Sequence, residues 1–260
     1  MLNALTTAAS GMKAQERRID NIANNLANVN TTGFKRSRLE FQDLLYHRMP
    51  TPGGTQDDPA PNLLEIGHGT AVVASTREQT QGDLTETGNP LDVVIEGDGY
   101  FQVSRSTGQL AYTRDGSFRI NADGRLVTTS GHPLEPEIVV PADAQSVAIS
   151  PDGVVQAYLH GEDYPVEVGT ILLARFVNPG GLSGLGRNLL GWTPASGEPL
   201  VDSPGERGLG SVRQGFLEAS NVEVVNEMVQ MIMAQRAYEV ASKAIQTSDE
   251  MLELANNIRR

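Results

Sequence analysis

Towards the end of the sequence, Met231, Ala234, Tyr238, Ala241, Ile245, Ser248, Leu252 and Ala255 follow one another in alternating steps of three and four. This spacing predicts a helix with a single apolar seam, the pattern of helices that pack lengthwise. Small residues (Ala234, Ala241, Ser248, Ala255) alternate with larger ones, so another helix can approach closely. A second row, Ala237, Ala244, Met251 and Ile258, widens the apolar face beyond what one partner covers. Ser220-Asn221-Val222-Glu223 reads as a capping box with Ser220 as N-cap. No Gly or Pro follows Gly215, so the predicted helix runs through 220–260. A helix of about 38 residues would span roughly 57 Å, too long for an ordinary surface helix.

The other end carries a weaker copy of the pattern. Over 3–28, Leu5, Met12, Ile19 and Leu26 recur every seven residues, with Ala8, Ile22 and Val29 beside them. Gly11 lies inside this helix and Asn is frequent in its last turns, which lowers its propensity. Asn21, Asn24, Asn25, Asn28 and Asn30 are expected on polar faces, bonding to the helix end. Thr31, Thr32 and Gly33 then stop the helix. The two apolar seams thus lie at opposite ends of the chain. The expected fold class is α+β: long N- and C-terminal helices forming a coiled-coil-like axial domain, with a β-rich central domain inserted between them. Two helices cannot bury both apolar faces fully, which predicts self-association.

Between the helices the periodicity changes. Residues 46–70 show none, and Pro50, Pro52, Gly53, Gly54, Pro59 and Pro61 give them a loop-like character. The stretch is either disordered or extended against a neighbour. Residues 71–87 begin strand-like and turn polar. From Leu91 short apolar runs alternate with the turn dipeptides Asp115-Gly116, Asp123-Gly124 and Asp152-Gly153, the chemistry of β-hairpins. The expected division is 1–32 (N-terminal helix), 33–90 (connecting segment with the extension 46–70), 91–195 (β domain), 196–219 (Gly- and Pro-rich return) and 220–260 (C-terminal helix).

Composition narrows the function classes. Cysteine is absent, which removes disulfides and thiolate chemistry. The net charge is -12, against nucleic acid or an anionic membrane surface as partner. Residues 1–40 nevertheless carry a balance of +3 and the remainder -15. These charges are either solvated faces or complementary contacts between neighbouring subunits. No window is apolar enough to insert in a membrane, and the N-terminus lacks the order of a cleavable signal.

No reaction chemistry stands out. His47, His68, His132 and His160 are scattered, without metal-ligand spacing. There is no Gly-Lys dipeptide for a phosphate loop and no G-x-S-x-G nucleophile elbow. Asp92, Glu96 and Asp98 read as a solvated strand edge, and Asn121-Ala122-Asp123-Gly124 as a turn. No catalytic, cofactor-binding or metal residue is expected. An enzyme or sugar-binding β module with helical ends is the competing reading, without a positive feature behind it.

Two segments carry a family resemblance. Residues 24–35, NNLANVNTTGFK, resemble the N-terminal signature of the bacterial flagellar basal-body rod and hook family, through Asn24, Asn25, Ala27, Asn28, Thr32, Gly33 and Phe34. Residues 220–252 resemble that family's C-terminal end, and 91–103, 112–121 and 123–134 its β domain. Length and the extension at 46–66 are most similar to the distal-rod branch. Many relatives carry Asn where this chain has Ala241. The resemblance implies a non-enzymatic subunit of the distal rod, assembling helically with itself into a hollow rigid tube that carries torque from motor to hook. A hook or proximal-rod subunit of the same family is the alternative.

The resemblance further implies that the seams Leu5, Met12, Ile19, Ile22 and Leu26, and Met231, Ala234, Tyr238, Ala241, Ile245, Leu252 and Ala255, serve assembly. Residues Pro50 to Pro61 would stiffen the rod. The implied partners are proximal-rod proteins, hook or hook-junction subunits, the peptidoglycan and outer-membrane ring proteins, and the flagellar type III export apparatus. The implied location is the periplasm-spanning rod of the basal body, reached without a cleaved signal peptide.

Overall fold

Helices form where the periodic apolar rows lie: α1 spans Leu2–Ala27 and α2 spans Val224–Ile258. The computed structural model describes residues 2–49, 64–160 and 164–258. The chain divides into two compact units, one of Met1–Ala27, Ser37–Thr76 and Glu223–Arg260, the other of Asn28–Arg36 and Arg77–Val222.

The first unit joins both helices to a β ribbon. Its strands are β1 (Ser37–Asp43), β2 (Tyr46–Met49), β3 (Leu64–Gly67) and β4 (Thr70–Arg77). β1 pairs with β4, and β2 pairs antiparallel with β3 from Tyr46↔Gly67 to Met49↔Leu64. α1 lies against β4. Ala14 is buried there, and the Thr70 N–H donates to Ser10 Oγ at 3.2 Å. Gly69 permits this approach: its φ is +107°, and a Cβ would lie 2.0 Å from Ser10 Oγ.

Among its described residues the second unit has short strands joined by turns and no α-helix. The chain runs through β5 (Leu84–Glu86), β6 (Val93–Glu96), β7 (Tyr100–Ser104), β8 (Leu110–Thr113), β9 (Phe118–Ile120), β10 (Leu126–Thr128), β11 (Ala144–Ile149) and β12 (Val154–Leu159). It continues through β13 (Val166–Thr170), β14 (Leu173–Arg175), β15 (Ser183–Gly186), β16 (Leu189–Gly191), β17 (Leu200–Asp202), β18 (Ser211–Gln214) and β19 (Phe216–Glu218). The largest sheet has the order β15-β16-β8-β7-β14-β17, and β11-β12-β13 form another. β18 returns to pair with β6, and β19 with β5. The core gathers Val93, Ile95, Phe101, Leu126, Leu134, Ile138, Ile171 and Leu173, with Phe101 edge-on to Phe118 at 5.1 Å between centroids. A smaller cluster sets Tyr100 and Tyr112 edge-on around Phe176.

Several expectations are corrected. The terminal helices do not form a coiled-coil-like axial domain of their own; among the described residues there are two α-helices and a β-rich middle, without a long coiled coil. The reason lies on the helix faces. α1 also packs on the ribbon, and the α2 seam alternates large apolar side chains with Ala234, Ser248 and Glu227 at its most buried points. Such a seam lacks the continuous large knobs that wind two helices together.

α2 begins at Val224, and the expected capping box is not formed: Ser220 Oγ accepts from the Val222 N–H at 3.3 Å instead. The loop-like stretch 46–70 is bounded by paired strands. Cross-strand hydrogen bonds need no apolar alternation where both faces stay open, and Tyr46 is exposed. Pro50, Pro52, Gly53, Gly54, Pro59 and Pro61 lie outside the described residues.

The return path 182–215 contains β15 to β18. Its first hairpin turns at Arg187 and Asn188, both with positive φ, as a type I′ turn requires. Asp92 is not on a solvated edge but buried, accepting from Thr87 Oγ1 at 2.7 Å and Asn89 Nδ2 at 2.9 Å. Asn121 does make the expected turn, accepting from the Asp123 and Arg125 N–H groups. Among the described residues no helix is long and apolar enough to cross a membrane, and no cluster of three His, Asp or Glu residues could hold a metal ion.

Candidate functional site

The helix pair is built from the N-terminal side of α2 outward. Glu227, fully buried, heads the seam one step before Met231. It meets Asn25, whose Nδ2 donates to Glu227 Oε2 at 3.2 Å and to the Ser37 carbonyl at 2.8 Å. Asn25 Oδ1 in turn accepts from the Ser37 N–H at 2.9 Å. Asn25 therefore fastens α1 to both β1 and α2, rather than capping its own helix. Further along, Arg18 donates to Gln230.

The structure places the α2 seam residues unequally. Ala234 is fully buried and Met231, Ala241, Ile245 and Leu252 are half-buried, while Tyr238 is 40% exposed. The side chain of Ala255 lies outside the described residues. On α1, Ile22 is buried, worth roughly 1.5–3 kcal/mol, and Leu5, Met12, Ile19 and Leu26 are half-buried.

The signature residues after α1 belong mostly to the second unit. Asn24 and Ala27 are exposed on α1. The Thr31 N–H donates to the Asn28 carbonyl at 3.1 Å, and Thr32 Oγ1 donates to Asp115 Oδ1 at 2.9 Å. Gly33 has φ +66°, and its N–H donates to the Glu218 carbonyl at 2.8 Å. A Cβ there would stand 2.7 Å from the Arg114 backbone carbon, so only glycine fits. The Phe34 carbonyl accepts from the Asn221 N–H at 3.4 Å.

Beside this turn sits a buried ionic cluster that the spacing of residues did not foretell. Lys35 Nζ donates to Glu218 Oε1 at 2.6 Å and to the Thr80 carbonyl at 2.7 Å. Arg114 Nε lies 3.0 Å from Glu218 Oε2, an ion pair without an aligned hydrogen bond, and its terminal nitrogens donate to the Gly99 and Gly97 carbonyls. Burial pushes the Lys35 ammonium below its ordinary pKa, and the Glu218 carboxylate pulls it partly back. The cluster has the marks of a structural rivet: buried charges that are paired with one another.

The surface left open is apolar and helical. Val225, Met228, Val229 and Ile232 occupy positions i, i+3, i+4 and i+7 of α2, and each is about half exposed or more, Val225 at 67%. They form a row distinct from Ala237, Ala244 and Met251, turned away from the seam. A row of large apolar side chains in water marks an interaction surface. This row is not one of those read from the sequence; it emerges only once the structure shows which side chains stay exposed.

Comparison with known proteins fits this arrangement end to end. The flagella basal body rod protein family matches residues 5–35, the flagellar hook protein FlgE/F/G D1 domain matches 94–157, and the flagellar basal body rod FlgEFG protein C-terminal family matches 213–258. The flagellar basal-body rod protein FlgG of Borreliella burgdorferi is 48% identical over all of both chains. The chain belongs to the flagellar basal-body rod protein family. Other rod proteins of the FlgG type are similar at the same scale: that of Buchnera aphidicola subsp. Baizongia pistaciae is 45% identical over 97% of this chain and 98% of its own. That of Caulobacter vibrioides is 44% identical over 99% of this chain and all of its own. The matched rod segments take in most of α1 with the turn through Lys35, and α2 with β19 and the end of β18. Membership places the chain in the flagellum basal body and implies self-assembly and association with other rod or hook components.

Proposed function

We propose that this chain is a structural subunit of the flagellar distal rod. Copies stack helically into a hollow, rigid tube that carries torque from motor to hook, and no reaction is catalysed. The observation that carries this is the open apolar row Val225, Met228, Val229 and Ile232, on a helix whose opposite face buries Glu227 and Ala234 within the chain. A monomer gains nothing from such a row, whereas a subunit packed on several sides buries it.

The seam residues of both helices and the row then act together in assembly. Proximal-rod proteins lie below, hook or hook-junction subunits above, and the peptidoglycan and outer-membrane rings around. Delivery is by the flagellar type III export apparatus, without a cleaved signal peptide. Residues 46–66 stiffen the polymer. Electron micrographs of basal bodies carrying a tagged copy test the location, with the tag expected between the proximal rod and the hook. Deleting residues 46–66 should give a rod that bends; a rod as straight as before would remove that role from the segment, and a tag on the hook would move the chain to the hook.

A further inference from the structure

α2 outruns α1. Asn25 meets Glu227 and Arg18 meets Gln230, so the helices run antiparallel, and Asn3 and Ala4 share a groove with Ala241 and Ala244. Beyond Ser248, α2 continues to Ile258, about 15 Å further at ~1.5 Å per residue, with no described residue of α1 left alongside. On this overhang Asp249, Glu250 and Glu253 are exposed on one face. Like charges at this spacing repel one another. Among the described residues none of the three has a cationic partner: Arg236 is paired with Glu239, and Lys243 lies two turns back. Met251 and Leu254 flank the acids, both exposed.

The complementary feature lies on another face of the same unit. Ser10, Lys13, Ala14 and Arg17 occupy i, i+3, i+4 and i+7 of α1 and border a cleft of about 240 Å³ against Thr70, Ala71 and Val72. Buried Ala14 lines it between the exposed Lys13 and Arg17. Among the described residues neither cation has an anionic partner, and no carboxylate lines the cleft. Unpaired acids on one side and unpaired bases on the other make two unlike surfaces of one chain that fit each other only between copies. Arg17 lies near the level of Gln230 and cannot reach Glu253 of its own α2.

We propose that the acidic overhang of α2 docks into the Lys13–Arg17 cleft of the next copy. The inference rests on the rod-subunit reading and specifies one of its contacts. Overhang and cleft are different surfaces, so the contact is heterologous and does not close on itself, which yields a helical polymer rather than a dimer. Opposite charges orient the encounter, and Met251 and Leu254 supply apolar area beside Ala71 and Val72.

Charge exchange in the full chain tests this. K13E/R17E reverses the cleft and E250K/E253K reverses the overhang. Each variant alone is expected to raise the critical concentration for polymerisation roughly tenfold or more, since like charges then face each other. An equimolar mixture should polymerise again, because each variant's overhang suits the other's cleft, and the fourfold variant should too. As a second readout, R17C/E253C in this cysteine-free chain should oxidise to a ladder of multimers. Polymerisation of the single-side variants like the parent, or loss without rescue by mixing, overturns the docking while leaving the rod subunit intact. A parent chain that never polymerises, with no cross-linked ladder, removes both.

Discussion

Tyr100 holds its hydroxyl 2.6 Å from Gln79 Oε1 while its ring packs edge-on to Phe176. Burial pushes its pKa up to about 12, and burial also raises Tyr112. A phenol whose folded pKa exceeds its unfolded value of 10 stabilises the fold fully below pH 10. That contribution is lost as pH climbs through about 12. Absorbance titration should therefore show a late step near pH 12 that Tyr100→Phe reduces. Ionisation of every tyrosine together near pH 10, in a chain still folded by circular dichroism, would refute this burial. Nothing about Tyr100 in the sequence announced the shift. It comes from burial of the ring in a cluster with Phe176, distant in the chain, and a hydrophobic period reports only which way a side chain points.

At the scale of elements, the seam of α2 and its row at Val225, Met228, Val229 and Ile232 have different fates. Of the residues picked out by spacing, Ala234 and Ile22 are buried, while Tyr238 is exposed. The seam's uncoiled character was not legible, because α1's attachment to β4 and the buried Glu227 depend on the ribbon. The free row should tolerate a charge in the monomer and forbid it in the polymer. Ile232→Asp is expected to leave the monomer's stability within about 0.5 kcal/mol, as for other surface positions, and to abolish sedimentable polymer. A variant that still forms rods would show that this row faces solvent in the assembly. The hairpins of the second unit were the easiest elements to read, since Asp123-Gly124 and Asp152-Gly153 fix their own turns. The helix start was harder: Ser220 has the right neighbours for a cap, but Asn221 is held by Arg36, whose N–H donates to Asn221 Oδ1 at 2.7 Å, and by Glu78 and Thr80.

For the whole molecule, the division into units does not follow chain order. Residues 28–36 leave α1 and enter the β unit, where Lys35 meets Glu218 and Thr32 meets Asp115. A fragment of residues 28–222 should fold as the β unit does in the full chain. A fragment of 77–222 strips Lys35 from Glu218 and should be less stable by about 3–5 kcal/mol, the usual cost of breaking a buried ion pair. Urea unfolding of the two fragments measures the difference, and equal stabilities would show that the segment contributes no rivet. Hydrophobic patterning gave no hint of this tie, because a long-range ion pair leaves no period in the sequence.

The Lys35–Glu218–Arg114 cluster also responds to heat in a sense opposite to most of the fold. Water holds bare charges less tightly as temperature rises, so the cost of keeping these three groups out of it falls. Attraction within the cluster persists while the desolvation that opposes it shrinks. The gap between the two fragments should therefore widen on warming, and the segment that leads out of α1 should be among the last parts of the β unit to loosen.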